Sequence, residues 1–266
     1  MSTAVTVDVK SPSSKMGKIR VGKIEGKHFP TYDGYQQIIV KTKSDGGYWQ
    51  LSPYYLTCPI PGSDKTGLVE CVFQACKAYK QVYAQREVAK WNSSIIIWEH
   101  PAETHLDIKD NVCTIRPEYF KWREKLATNK LAVRYPNGYY GRHECICSLL
   151  PDEKGGWRVV GGQGATKEQR YIAARKEIYV PLYGEAAKSH QRYQELVTLL
   201  QQGVNILILD VDGPKYTEKY PFNQIEKGSI EINEANIKAL INDTTQAFGH
   251  GAVAAAYLLG GKEWMK

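Results

Sequence analysis

An α+β fold in one domain is what this sequence predicts, on three observations. Its 266 residues and 42% hydrophobic content suffice for one sizeable core. β-prone runs recur at 18–24, 35–40 and 204–209. Between and after them lie stretches with helical grammar, such as the one that Pro117 opens and the one that Gly203 closes.

Charge narrows the partners. Thirty-five Lys and Arg against 28 Asp and Glu leave a net charge of +7, which favours anions such as phosphates or nucleic acid. Residues 1–10 lack the apolar centre of a signal peptide, and no apolar run approaches the roughly 18 residues a membrane span needs. The expectation is a cytoplasmic protein without a membrane partner, its residues 1–15 a flexible tail and 16–266 the folded domain. The six cysteines are then reduced, and Cys71 with Cys76 on one short helix is not a disulfide spacing.

Taken in order, 18–40 fits a hairpin or two edge strands, whose Lys18, Arg20 and Lys23 either touch phosphate or protect an edge. Tyr48, Trp49, Tyr54 and Tyr55 crowd the following loop, where they can stack on a base or pin the loop to the core. A helix is expected next, from Thr66 as N-cap to about residue 90. Within it Glu70, Gln74 and Lys77 stand at i, i+4 and i+7, one face at about 3.6 residues per turn. A solvated charge stripe is the plain alternative. The surrounding Val69, Cys71, Val72, Phe73, Ala75 and Cys76 are instead apolar or small all round, as in a buried helix. A buried acid and amine need partners or a task.

Further on, 91–98 reads as a strand. His100, Glu103, His105 and Asp107 read as a polar loop, because no cysteine joins them at zinc spacing. After the helix at Pro117, Asn137-Gly138 signals a hairpin between strands 132–136 and 139–149. His143, Cys145 and Cys147 alternate on one strand face without a fourth ligand, so core packing is expected rather than metal. The glycine-rich 155–167 segment reverses the Gly-Lys-(Ser/Thr) order of a phosphate loop and is expected to be a mobile loop near the site. Residues 171–202 read as helix broken at Pro181, and helices are expected at 233–243 and 248–260.

Several of these blocks resemble one family. Leu68-Val69-Glu70-Cys71-Val72-Phe73-Gln74-Ala75-Cys76-Lys77 resembles the signature helix of the NADAR family, Val-Glu-His-Tyr-Phe-Gln-Ala-x-Lys, with Cys71 at the histidine. Ser52-Pro53-Tyr54-Tyr55 resembles its first motif, with Pro53 at an asparagine. Trp122-Arg123-Glu124-Lys125 and Ala132-Val133-Arg134-Tyr135-Pro136 are similar to its phage and bacterial branch, and Phe248-Gly249-His250-Gly251 to its closing Trp-Gly-x-Gly. The resemblance spans 49–259 in separated blocks. It implies a single, mostly helical α+β catalytic domain with a small sheet. It also implies a cofactor-free N-glycosidase that removes ADP-ribose from modified guanine in a nucleotide or nucleic acid.

The residue roles that follow are specific. Glu70 would stabilise the oxocarbenium-like transition state or activate water, and Lys77 would donate a proton or attack C1 of the ring-opened sugar. Asp210 or Asp212 would hold ribose hydroxyls, and Gln74 and Ser52 would assist at the ligand. Trp49, Tyr54 or Tyr55 would stack on the base. Arg123, Arg134 and Arg142 would meet the pyrophosphate, because guanidinium forks match phosphate oxygens. Gly249, His250 and Gly251 would present a helix N-terminus to an anion. No metal is called for. Two other classes remain. The apolar strand ending in Asp210-Val211-Asp212-Gly213 also resembles the start of a haloacid dehalogenase-type phosphatase. A catalytically inactive binder of ADP-ribose or nucleic acid would follow from the changes at Pro53 and Cys71.

Overall fold

In the computed structural model, the spine of the main sheet is the strand Ile206–Asp210, buried along its whole length. The structure describes residues 16–41, 46–88, 97–109, 112–162, 164–214, 228–260 and 263–265. The expected tail at 1–15 and most of the expected strand at 91–98 lie outside them. Alternating Ile and Leu suit a strand covered on both faces. Ile19–Lys23 and Gln36–Ile39 flank it in parallel, Ile19 and Gln36 both in register with Ile206. Ser229–Glu231 adds an antiparallel fourth strand beyond Ile19–Lys23.

Leu207 and Leu209 face a small cluster with Ile24, while Ile206 and Ile208 face the main core. The helix His250–Leu259, buried from His250 to Leu258, belongs to that main core. By the same alternation Asp210 follows Ile206 and Ile208 onto the side of this helix. A second sheet, antiparallel, joins Lys77–Tyr79, Cys145–Pro151 and Trp157–Val159, with Lys77 opposite Ser148.

Several expectations change. The described residues are 39% helical and 24% strand, so the fold is mixed α/β and not mostly helical. The strands at 18–40 do not pair with each other, because Ile206–Asp210 lies between them. Ile19–Lys23 is therefore internal, and Arg20 is buried, donating to the Ser229 hydroxyl at 2.9 Å and the Ser229 carbonyl at 2.8 Å.

The long helix expected over 66–90 shrinks to Val69–Ala75. Thr66 lies instead in the strand Thr66–Leu68, and Lys77 opens a strand. Tertiary pairing wins over helical propensity there: the Leu149 N–H donates to the Cys76 carbonyl at 2.8 Å and draws 77–79 into the ladder. The hairpin at Asn137-Gly138 is also absent. Asn137 turns its side chain inward, accepting from the Tyr83 N–H at 3.0 Å and donating to the Gln81 carbonyl at 3.3 Å. Residues 138–144 coil into short helical turns instead.

Pro181 does not break its helix. A π turn at Arg175–Tyr179 precedes it, and the helical run continues through Pro181 as Val180–Lys188. The break falls at His190, the N-cap of Gln191–Gln201. Among the described residues no helix is long and apolar enough to cross a membrane.

Helices Val180–Lys188 and His250–Leu259 meet at Gly184, where an added Cβ would lie 2.0 Å from the buried Tyr257 ring. Gly184→Ala is expected to cost about 1–3 kcal/mol, as overpacking does. Thermal unfolding of the two proteins measures this, and an unchanged or raised Tm would refute the close approach.

Candidate functional site

The seven-residue helix Val69–Ala75 is anchored at its start by the aromatic loop: the Val69 N–H donates to the Leu56 carbonyl at 2.9 Å and the Glu70 N–H to the Pro53 carbonyl at 3.0 Å. Helix donors that would otherwise lack partners are thereby satisfied. Where the NADAR motif carries an asparagine, this chain contributes a main-chain oxygen. Ser52, buried, accepts from the Tyr54 N–H at 3.3 Å and so shapes the same turn.

Glu70 points inward and is 8% exposed. Gln74, one turn on, donates its amide to Glu70 Oε1 at 2.8 Å. Burial pushes the Glu70 carboxyl above its ordinary range, against the Gln74 bond and the positive fields of Lys77 and Arg134, with Asp212 adding to the rise. The Lys77 ammonium lies 4.9 Å from the centroid of the Phe73 ring. Thus the acid, amide and amine do gather, but on a helix and an adjoining strand rather than on one helix face.

Cys71 explains how Arg134 arrives. Its thiol donates to the Leu131 carbonyl at 3.3 Å and accepts from the Val133 N–H at 3.4 Å, fastening the segment that carries Arg134 to the helix. Burial works against the charge of Arg134, but Tyr54, Tyr135, Asp212 and Glu70 outweigh it and raise its pKa. The Tyr54 hydroxyl is pushed well above its usual range by burial and by Glu70, and remains a donor at neutral pH.

From the main sheet come Asp210 and Asp212, at the carboxyl end of a parallel strand, where open α/β sheets commonly place ligands. Their roles differ. Asp210 is fully buried, accepting from the Gly251 N–H at 2.9 Å and the Asp212 N–H at 3.2 Å, with His250 Nδ1 3.2 Å away. His250 Nε2 lies 3.0 Å from the Val40 carbonyl, so the ring bridges the central strand's carboxylate and the main chain at Val40. Gly249 and Gly251 are required by closeness: a Cβ on Gly249 would lie 2.5 Å from Asp210 Oδ2, and one on Gly251 2.9 Å from Asp210 Cβ. The anion at this helix N-terminus is therefore the protein's own carboxylate. Asp212 is left as the group turned to the site, its carboxyl raised by burial and by Asp210 against the pull of Arg134, His250 and Lys23.

Two residues were not singled out as ligand contacts from sequence. Tyr179 lies in the π turn, and its hydroxyl is held far above its ordinary pKa by burial and by Glu70, Tyr183, Asp210 and Asp212. Its only sequence signal was Pro181, since π turns often accompany functional sites. Tyr135 also contributes, lying within the field of both Arg134 and Tyr54.

The remaining candidates make other contacts. Arg123 is buried, donating to the Pro61 carbonyl at 2.7 Å and lying 4.6 Å from the Trp157 ring, which is a packing role. Trp49 and Tyr55 pack edge to face with centroids 4.5 Å apart. Arg142 lies 4.0 Å from the Tyr139 ring and donates to His143 at 2.9 Å. His100 is buried, its ring nitrogens 2.8 Å and 2.9 Å from the carbonyls of Pro101 and Pro136.

The cluster therefore brings the carboxyl groups of Glu70 and Asp212 within the electrostatic reach of Arg134, with Lys77 acting on Glu70 and the phenols of Tyr54 and Tyr179 close enough to feel Glu70 and Asp212. It can move protons, bind an anionic group and stabilise developing positive charge. No protein-family model, curated protein or solved structure matches the chain, so its function must be argued from these residues and their geometry.

Because burial raises the Glu70 pKa, the native state binds the carboxyl proton more tightly than the unfolded state, whose value is about 4.5. Glu70 therefore costs no stability below that pH, and stability falls as pH rises through its folded pKa. Glu70→Gln keeps the shape and removes the titration. Its Tm relative to wild type is expected to increase from pH 4 to pH 8, and a difference that stays flat or reverses would contradict the burial.

Proposed function

We propose that the protein is an N-glycosidase of the NADAR type, with the fold of that family, acting in the cytoplasm to remove ADP-ribose from modified guanine in a nucleotide or nucleic acid. The observation that carries this reading is the enclosure of Glu70 with Gln74, in the fields of Lys77, Arg134 and Asp212. Cleavage breaks the bond between the base nitrogen and ribose C1. The bonding electrons leave with the base, which takes up a proton, while water gives its oxygen to C1 and its proton to a base. Glu70 is placed to stabilise the cationic sugar and receive that proton. Lys77 supplies the proton to the leaving base; alternatively, as a free amine, it attacks C1 of the ring-opened sugar, the C1–base bond breaks with the base taking up the amine's proton, and water hydrolyses the resulting Schiff base to return the amine. Arg134 suits the pyrophosphate and Asp212 the ribose hydroxyls. Tyr54 and Tyr179 offer hydroxyl donors.

The phosphatase alternative needs Asp210 as nucleophile. That carboxylate is buried and already accepts two backbone N–H bonds, which weighs against it.

Release of ADP-ribose from ADP-ribosylated guanine in DNA tests the assignment. Glu70→Gln and Lys77→Ala are each expected to slow release about 10²- to 10⁴-fold. Unchanged release in both variants would discard the site. Borohydride trapping separates the lysine roles: a covalent adduct lost in Lys77→Ala marks the amine as nucleophile, and no adduct in wild type marks it as acid.

A further inference from the structure

Beyond the cluster, a line of rings leads outward from Arg134. The Arg134 guanidinium lies 5.3 Å from the Tyr135 ring centroid, Tyr135 and Tyr139 lie 5.3 Å apart, and Tyr139 and Tyr140 lie 5.4 Å apart. Exposure climbs along this line, from partly buried Tyr135 to 53% at Tyr139 and 89% at Tyr140. An almost fully exposed tyrosine beside a half-exposed one is a surface that the core does not account for. The pairs meet edge to face, at 83° and 88°, so neighbouring rings do not stack on one another.

Positive charge accompanies the rings. Arg142 lies 4.0 Å from the Tyr139 ring and 5.2 Å from the Tyr135 ring. Lys167 reaches the same turn, donating to the His143 carbonyl at 3.0 Å. One acid shares the turn, Glu144, which accepts from the Tyr83 hydroxyl at 2.8 Å. Aromatic faces interleaved with cations suit single-stranded nucleic acid, whose bases stack and whose backbone is anionic. The net charge of +7 favours the same partner.

We propose that Tyr139, Tyr140, Arg142 and Lys167 form a docking tract for the single strand that flanks the modified nucleotide, making a polymer the preferred substrate over a free nucleotide. The proposal rests on the glycosidase reading for what lies at the inner end of the tract. The rings take bases next to the reacting one, and Arg142 and Lys167 take phosphates. Direction is set by Arg134, which lies 5.3 Å from the Tyr135 ring and within the fields of Glu70 and Asp212.

Binding of a fluorescein-labelled oligothymidylate of about 12 nucleotides, followed by anisotropy, tests the tract without requiring turnover. Tyr140→Ala is expected to weaken binding roughly 5- to 100-fold and Tyr140→Trp to preserve it, since stacking rather than the hydroxyl is at stake. Arg142→Ala should flatten the dependence of log affinity on log salt by about 0.7. Because Tyr140 is exposed, its variants should keep the wild-type Tm. Wild-type protein that does not bind the oligonucleotide, or a Tyr139→Ala, Tyr140→Ala double variant that binds it equally well, overturns the tract. Hydrolysis of a free ADP-ribosylated guanine nucleotide reports on the inner site alone, and Tyr140→Ala should leave its rate unchanged; no release of ADP-ribose from either the free nucleotide or ADP-ribosylated single-stranded DNA would count against the glycosidase reading, whatever the oligonucleotide binding shows.

Discussion

An acid held in the interior is the constraint around which this molecule is arranged. Burying Glu70 removes it from water, and a carboxylate so placed must find compensation or take up a proton. The chain compensates in part, with one amide bond from Gln74 and the positive fields of Lys77 and Arg134. Desolvation remains the larger effect, so the group stays shifted toward its neutral form. Much local structure serves this one placement. The Pro53 carbonyl fixes the helix start, Cys71 fastens the Arg134 segment, and the strand pairing of Lys77 with Ser148 holds the amine nearby.

A second carboxylate is handled in the opposite way. Asp210 sits deeper than Glu70, yet it has what Glu70 lacks: two backbone donors and a histidine. It acts as a clasp between the central strand and the helix His250–Leu259, and only glycine on either side of His250 lets them come so close. By taking the helix N-terminus and His250 for itself, Asp210 leaves Asp212 as the group with remaining acceptor capacity. Two aspartates two residues apart thus divide into one that builds and one that faces the cluster.

The residues that meet here were legible from sequence where chemistry was local. An acid, amide and amine within eight positions of an apolar stretch marked the site, and Asp212 and Arg134 belonged to blocks recognisable as motifs. Geometry was less legible, because it depends on partners far along the chain. Nothing local to Lys77 announces that a strand begins there; the cause is the edge of Cys145–Pro151, almost 70 residues later. Asn137-Gly138 has the composition of a hairpin turn, but the Asn137 side chain is bonded to 81–83 instead. Arg123 looked like a phosphate ligand by residue type, and only the Pro61 carbonyl and Trp157 reveal it as packing. Tyr179 was missed because a π turn, which sequence periodicity does not disclose, sets its direction.

Two positions, Pro53 and Cys71, differ from the NADAR pattern that the sequence resembles. At Pro53 the amide side chain is gone, but the main chain supplies the oxygen that closes the helix onto the loop. At Cys71 the imidazole is gone, and the thiol takes up a fastening role between backbone groups of Leu131 and Val133. The acids, cations and hydroxyls of the cluster stand at other positions, while whatever the imidazole does in the NADAR pattern has no counterpart at Cys71. An anionic ligand alone is held better by Arg134 and Lys77 without a buried acid beside them. The proposed cleavage through a cationic sugar would make use of that acid, because the positive charge develops at the transition state.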